Sequence, residues 1–157
     1  MFKMVFGLIL FFMSITAHAE TIEVNGVARS YILDKTSRRP APLIVILHGR
    51  LGSAKQIRKH TDLTGLANSV NISVLYPDGI DHAWSDGRLN PSGQPVTNVD
   101  DVGFLTKLVN KLISEGIADP ERIIFTGWSN GGMMSFKMAC DSTLKIWGIA
   151  PVSANMP

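Results

Sequence analysis

Apolar residues in this chain fall into short blocks separated by polar, glycine- and proline-rich stretches. The block Leu43-Ile44-Val45-Ile46-Leu47 has no polar interruption. Such a run suits a strand buried on both faces, as in a parallel sheet covered by helices. Ile72 to Tyr76, Ile123 to Thr126 and Trp147 to Val152 repeat the pattern in shorter form. Other blocks carry helical spacing. Leu63, Leu66, Ala67 and Val70 would share one face of a helix over roughly Ala54 to Asn68. Leu105, Leu108, Val109 and Leu112 do the same over about Asp100 to Glu115, where Gly116 supplies the stop. A third helix is expected from Gly131 to Asp141. Thr21 to Val24 and Arg29 to Leu33 flank Asn25-Gly26, a hairpin signal. Ile80 to Asn98 shows no periodicity and reads as a long loop.

Strand and helix alternate after the hairpin. That order predicts an α/β fold with a mostly parallel sheet and helices on both faces. Right-handed crossovers would bring His48–Ser53, Asp78–Asn98 and Gly127–Gly131 to one carboxyl edge of the sheet, where such folds bind ligands.

The first residues follow a different pattern. Lys3, the apolar run Met4 to Ile15 and the small-x-small triplet Ala17-His18-Ala19 form a secretory leader. The run is short of the roughly 20 apolar residues a membrane span needs. Residues 1–19 are therefore expected to be a cleaved signal peptide and 20–157 a single domain, secreted or periplasmic and without stable membrane association. The chain carries 15 basic and 13 acidic residues, a formal charge of +2 that falls to +1 without Lys3. So even a balance gives no basis for a nucleic-acid partner. The one cysteine, Cys140, is expected as a small buried hydrophobe. No cysteine or histidine pair stands at metal-ligand spacing, so no metal and no organic cofactor is implied.

The candidate chemistry lies in Gly127-Trp128-Ser129-Asn130-Gly131. These residues match G-x-S-x-G, and they stand directly between an apolar strand and an apolar helix. A strand that reverses sharply into a helix crowds the positions two before and two after the tip, and glycine relieves that crowding. Ser129 is then a nucleophile displayed at a helix N-terminus, where amide groups favour negative charge. An acyl transfer also needs donors for the oxyanion. The backbone N–H of Asn130 and that of Arg50, in the loop after the first long strand, hold the expected positions. His48 precedes the serine and is expected to be structural. Trp84, Asp86 and Arg88 form a candidate substrate loop, with loop-pinning by packing and an ion pair as the equal alternative. Asp100 and Asp101 are expected to serve a helix N-terminus.

Leu47-His48-Gly49, Tyr76-Pro77-Asp78-Gly79, Trp84-Ser85-Asp86-Gly87-Arg88, Val99 to Phe104, the run Gly127 to Met134 and Ala150-Pro151-Val152-Ser153 occur in this order. The set resembles secreted polyhydroxybutyrate depolymerase-type esterases and the similar feruloyl and acetylxylan esterases, over nearly all of residues 20–157. The resemblance implies an α/β-hydrolase fold and a Ser–Asp–His esterase that cleaves polyesters or feruloyl and acetyl esters. It implies Ser129 as nucleophile and Arg50 and Asn130 as oxyanion residues. Arg50 stands where that family often has a cysteine or another residue.

The acid and histidine of a triad should follow the serine. After Ser129 this sequence holds one acidic residue, Asp141, and no histidine. Asp141 is twelve residues on, at the far end of the same helix. At 1.5 Å per residue it would lie roughly 18 Å from the turn. Among the histidines before the serine, only His82 in the long loop is a candidate substitute base. The expectation is an N-terminal part of the hydrolase domain without its C-terminal strands and helices, and without the triad Asp and His. The alternative is a catalytically incompetent fragment or a binding remnant. A sheet ending in an unpaired Trp147–Val152 strand is expected to be poorly soluble.

Overall fold

The computed structural model describes residues 19–94 and 97–156. The expected leader therefore lies almost wholly outside the described residues. Six strands form one sheet: β1 (Glu20–Val24), β2 (Val27–Asp34), β3 (Ala41–Leu47), β4 (Ser73–Pro77), β5 (Ala118–Trp128) and β6 (Ile146–Val152), in the order β1-β2-β4-β3-β5-β6. The β1–β2 hairpin and the β2–β4 pair are antiparallel, whereas β4, β3, β5 and β6 run parallel. Asn25 and Gly26, both at positive φ, make the hairpin turn as the sequence suggests.

The described residues also form four α-helices, α1 (Ala54–Thr61), α2 (Leu63–Ser69), α3 (Asp101–Ser114) and α4 (Asn130–Asp141), and a short 3₁₀ turn at Ile80–His82. Helix α3 presents Phe104, Leu105, Leu108, Val109 and Leu112 to a core that includes Leu43, Val45, Ile123 and Phe125. Met134 and Met138 of α4 join the same cluster. On the opposite face, α1 and α2 set Ile57 and Ala67 against Ile46, Val74 and Tyr76. Both layers of the expected sandwich are thus present.

Three sequence expectations need correction. The helix drawn from Ala54 to Asn68 is broken at Asp62, which adopts a left-handed conformation (φ 46°, ψ 33°). The break reorients the second half, so Leu66 is 66 % exposed and Val70 58 % exposed, and only Ala67 of the expected face is buried. Asp119-Pro120-Glu121-Arg122, whose residues read as a turn leading into Ile123 to Thr126, lie within β5 as a bulge. The register against β3 jumps from Ala41↔Ala118 to Leu43↔Ile123, and the Asp119 carboxylate accepts the Glu121 N–H at 2.9 Å. Cys140, expected inside, is exposed on the last turn of α4.

Candidate active site

Strand β5 delivers the chain to Ser129, and α4 begins one residue later. Ser129 holds φ 52° and ψ −117°, a region that L-residues rarely occupy and that costs of order 1–3 kcal/mol. Its neighbours explain how the fold enforces this. A Cβ on Gly127 would stand 2.6 Å from the Leu47 carbonyl oxygen and 2.6 Å from the Gly131 backbone. A Cβ on Gly131 would collide with the same Leu47 oxygen, and one on Gly132 would stand 2.7 Å from the Ala154 Cβ. Only a chain without side chains at these three positions can fold back so tightly. The Ser129 N–H is spent on the Val152 carbonyl at 2.9 Å, which ties the turn to the end of β6.

The loop after β3 packs directly against this turn. A Cβ on Gly49 would lie 3.2 Å from the Trp128 carbonyl oxygen and 3.9 Å from the Ser129 Cβ. Gly49 to Gly52 form a tight turn closed by the Gly52 N–H donating to the Gly49 carbonyl at 3.0 Å, with Leu51 at φ 64°. Among the described residues, the N–H groups of Arg50 and Asn130 find no internal hydrogen-bond partner. These are the two amides that the sequence nominates for the oxyanion. Both amides are therefore free to donate, as an oxyanion pair would require.

His48 is placed as a structural residue. It is 1 % exposed, and its Nε2 accepts the Gly79 N–H at 3.0 Å. Its Nδ1 lies 2.8 Å from the Gly49 carbonyl, so Nδ1 carries the proton. Burial pushes the ring below its ordinary pKa, in keeping with a neutral imidazole. With both nitrogens engaged, His48 cannot take a proton from Ser129.

Trp84 and Asp86 pin the long loop, the second of the two readings of that segment, and neither is among the residues lining the cavity at Ser129. Trp84 is 1 % exposed and its indole N–H donates to the His48 carbonyl at 2.8 Å. The Asn130 side chain reaches back into the same loop. Its Oδ1 accepts the Trp84 N–H at 2.8 Å, and its Nδ2 donates to the Trp84 carbonyl at 3.0 Å and to the Asp86 carboxylate. Arg88 completes the cluster, with its Nη2 2.8 Å from Asp86. Asp100 caps α3 as expected, accepting the Gly103 N–H at 2.7 Å. Asp101 does something the sequence did not disclose. It is buried and pairs with buried Arg29 of β2 at 2.7 Å, while its other oxygen accepts the Ser85 N–H at 2.7 Å. The Arg29 guanidinium also stacks 3.9 Å above the Phe104 ring. Nothing in local spacing links residues 72 positions apart.

A cavity of about 420 Å³ opens in front of Ser129, lined on one side by Gly49 to Gly52 and on the other by Gln56, Ile57 and His60 of α1. The sequence reading missed the α1 wall. Its signal is the i, i+1, i+4 spacing of Gln56, Ile57 and His60, with Ser53 capping the helix through the Gln56 N–H. Among the described residues, no cluster of acidic, cysteine and histidine side chains could hold a metal.

The sequence profile of the prolyl oligopeptidase family matches residues 88–150. Feruloyl esterase B of Piromyces equi is 31 % identical over 77 % of this chain and 22 % of its own length. Feruloyl esterase D of Neurospora crassa is 27 % identical over 85 % of this chain and 48 % of its own. Together with the fold, these matches support an esterase-like α/β-hydrolase family. Its fold matches that of FphF, a fluorophosphonate-binding serine hydrolase of Staphylococcus aureus, with a TM-score of 0.67 over 88 % of this chain and 57 % of that one, at 16 % identity. The chain spans less than half the length of the curated relatives it matches. It carries part of an α/β-hydrolase domain, with the serine turn and the Gly49–Gly52 loop packed against it.

Proposed function

We propose that the protein is an exported serine hydrolase of carboxylic esters, with Ser129 as nucleophile and the Arg50 and Asn130 amides as its oxyanion donors. The observation that carries this reading is the forced backbone of Ser129, wedged between glycines, with the Arg50 and Asn130 N–H groups free of partners among the described residues. The Ser129 oxygen would attack the ester carbonyl carbon, and the carbonyl oxygen would become an oxyanion held by the two amides. Collapse would expel the alcohol and leave an acyl group on Ser129, which water would then release. The proton acceptor would be a histidine held by an aspartate; after Ser129 these 157 residues hold no histidine, and their one aspartate, Asp141, ends α4 far from the turn. The greater length of the relatives supports placing both on additional polypeptide.

The substrate class would be polyhydroxyalkanoate-type polyesters or the feruloyl and acetyl esters of plant polysaccharide. The names of the relatives, feruloyl esterases and a bifunctional acetylxylan esterase/xylanase from Neocallimastix patriciarum, favour the second group. Export rests on the leader at residues 1–19. No helix of the described residues is long and apolar enough to cross a membrane.

The test is hydrolysis of a p-nitrophenyl ester by the chain beside Ser129→Ala. Weak turnover that falls in the variant is expected, since a serine oxygen without a neighbouring base is a poor nucleophile but still forms the acyl intermediate that alanine cannot. Hydrolysis indifferent to the substitution would overturn the assignment of Ser129. A catalytically incompetent remnant is the second reading, favoured by the missing histidine, and Ser129-dependent turnover would exclude it.

A further inference from the structure

The loop after β4 is stitched to the Gly49–Gly52 turn along a continuous seam. The Asp78 carboxylate accepts the Ala54 N–H at 2.6 Å, the Gly79 N–H donates to His48, and the Leu51 N–H donates to the His82 carbonyl at 2.8 Å. The fourth stitch is made by a side chain. His82 Nδ1 lies 2.8 Å from the Gly52 carbonyl, and because a carbonyl only accepts, Nδ1 must carry the proton. Asp81 and His82 both sit at positive φ, 50° and 58°, and this left-handed pair turns His82 so that its carbonyl and its ring face the same turn. The Gly49 carbonyl is also occupied, by the Gly52 N–H and His48 Nδ1. Of the polar groups named on this turn, the Arg50 N–H alone remains without a partner among the described residues.

We infer that His82 is a positioning residue for the oxyanion site, acting through the Gly49–Gly52 turn to aim the Arg50 amide, and not as a base. The inference rests on the proposed role of Ser129. His82 clamps the turn at two adjacent points, Leu51 and Gly52, immediately after the Arg50 amide. Without the ring the turn would keep its closing bond and the Leu51 tie to the main chain of residue 82 but lose the hold on the Gly52 carbonyl, and a misplaced donor loses most of its value to a developing oxyanion.

The experiment compares His82→Asn and His82→Gly in the full chain. Both residues tolerate φ near 58°, but only asparagine retains an N–H donor at the position of Nδ1. Hydrogen exchange of the Arg50, Leu51 and Gly52 amides is followed with the rate of Ser129 phosphonylation by an alkyl fluorophosphonate. In that reaction the Ser129 oxygen bonds to phosphorus, fluoride leaves, the serine proton passes to solvent, and the phosphoryl oxygen enters the oxyanion site. The glycine variant should exchange the turn amides about tenfold faster and label about tenfold more slowly, while the asparagine variant should stay near wild type in both. Equal exchange in the two variants would overturn the inference. So would faster exchange with an unchanged labelling rate. Failure of the wild-type chain to label at Ser129 would instead defeat the nucleophile assignment, and the exchange comparison would still decide whether His82 anchors the turn.

Discussion

The carboxamide of Asn130 brackets the backbone of Trp84, accepting its N–H at 2.8 Å and donating to its carbonyl at 3.0 Å. The residue after the candidate nucleophile thus divides its labour. Its main-chain N–H is left free beside Ser129, and its side chain fixes a loop 46 residues away in sequence. The same amide donates to Asp86, a buried carboxylate, so the serine turn and the long loop share one polar network.

Asn130→Ala would strand the Trp84 N–H and carbonyl and remove a donor from Asp86. Each buried group left without a partner costs about 1–3 kcal/mol. The expected loss is about 3 kcal/mol, read as a lower urea midpoint with an unchanged slope. A loss under about 1 kcal/mol would show that water replaces the amide freely.

Ser129 itself is held in a conformation better suited to glycine. Ser129→Gly should therefore raise stability by about 1 kcal/mol relative to Ser129→Ala, which keeps the Cβ and its strain. Gly131→Ala should have the opposite effect, because its Cβ would meet the Leu47 carbonyl, and about 3 kcal/mol or more would be lost. Denaturant unfolding of the three variants tests both signs at once. An equal midpoint for Ser129→Gly and Ser129→Ala would show that the turn stores no strain at that residue.

The pH dependence of stability should carry the signature of His48. Burial holds its folded pKa below the ordinary 6.5. The unfolded chain therefore takes up this proton first as pH falls, and the folded state resists it. The neutral, buried ring costs nothing above the unfolded value, and stability declines from there down toward the folded value. The slope can approach about 1.4 kcal/mol per pH unit over that window. Asp101 acts with the opposite sign, because burial raises its folded pKa above 3.8 and its contribution is lost as pH rises through the folded value. His48→Gln, which keeps an acceptor for the Gly79 N–H, should flatten the decline just below pH 6.5. An unchanged profile in that variant would assign the decline to another group.

Arg29 and Asp101 provide a test of long-range wiring. Asp101→Ala would leave a buried guanidinium without its counterion, and breaking one side of a buried pair costs about 3–5 kcal/mol. Replacing both, as Arg29→Met with Asp101→Leu, should cost less than either single change, because no unpaired charge remains. A double-mutant cycle measured by chemical denaturation gives the coupling, and additivity of the two changes would mean that the pair is not coupled in solution.

Much of this arrangement could be read from the chain because it depends on local pattern. The apolar runs of β3 and β4 and the spacing of α3 needed only neighbouring residues to declare them. Gly127, Ser129 and Gly131 revealed the strand-to-helix turn because crowding at such a turn acts over two positions. The break at Asp62 was hidden, since aspartate carries no strong signal for a left-handed conformation inside an apolar repeat. The ties of Asn130 to Trp84, of Arg29 to Asp101 and of His82 to Gly52 were hidden for another reason. Each joins side chains to loops that only the sheet topology brings together.

Strand β6 forms one edge of the sheet, and the large apolar side chains beside it are open. Trp128 and Val152 stand opposite one another in the β5–β6 pair and are 53 % and 55 % exposed, while Trp147 is 69 % exposed. An unpaired parallel edge next to exposed tryptophan is a template for further association. The chain should therefore self-associate as concentration rises toward about 100 µM, in the range where exposed edges and apolar surface drive aggregation. Trp147→Lys with Val152→Lys places charge on that edge without altering the glycines of the serine turn or the Gly49–Gly52 loop. The double variant should shift sedimentation toward monomer and leave far-UV circular dichroism unchanged. A wild-type chain that sediments as a monomer throughout would show that the edge is protected in solution.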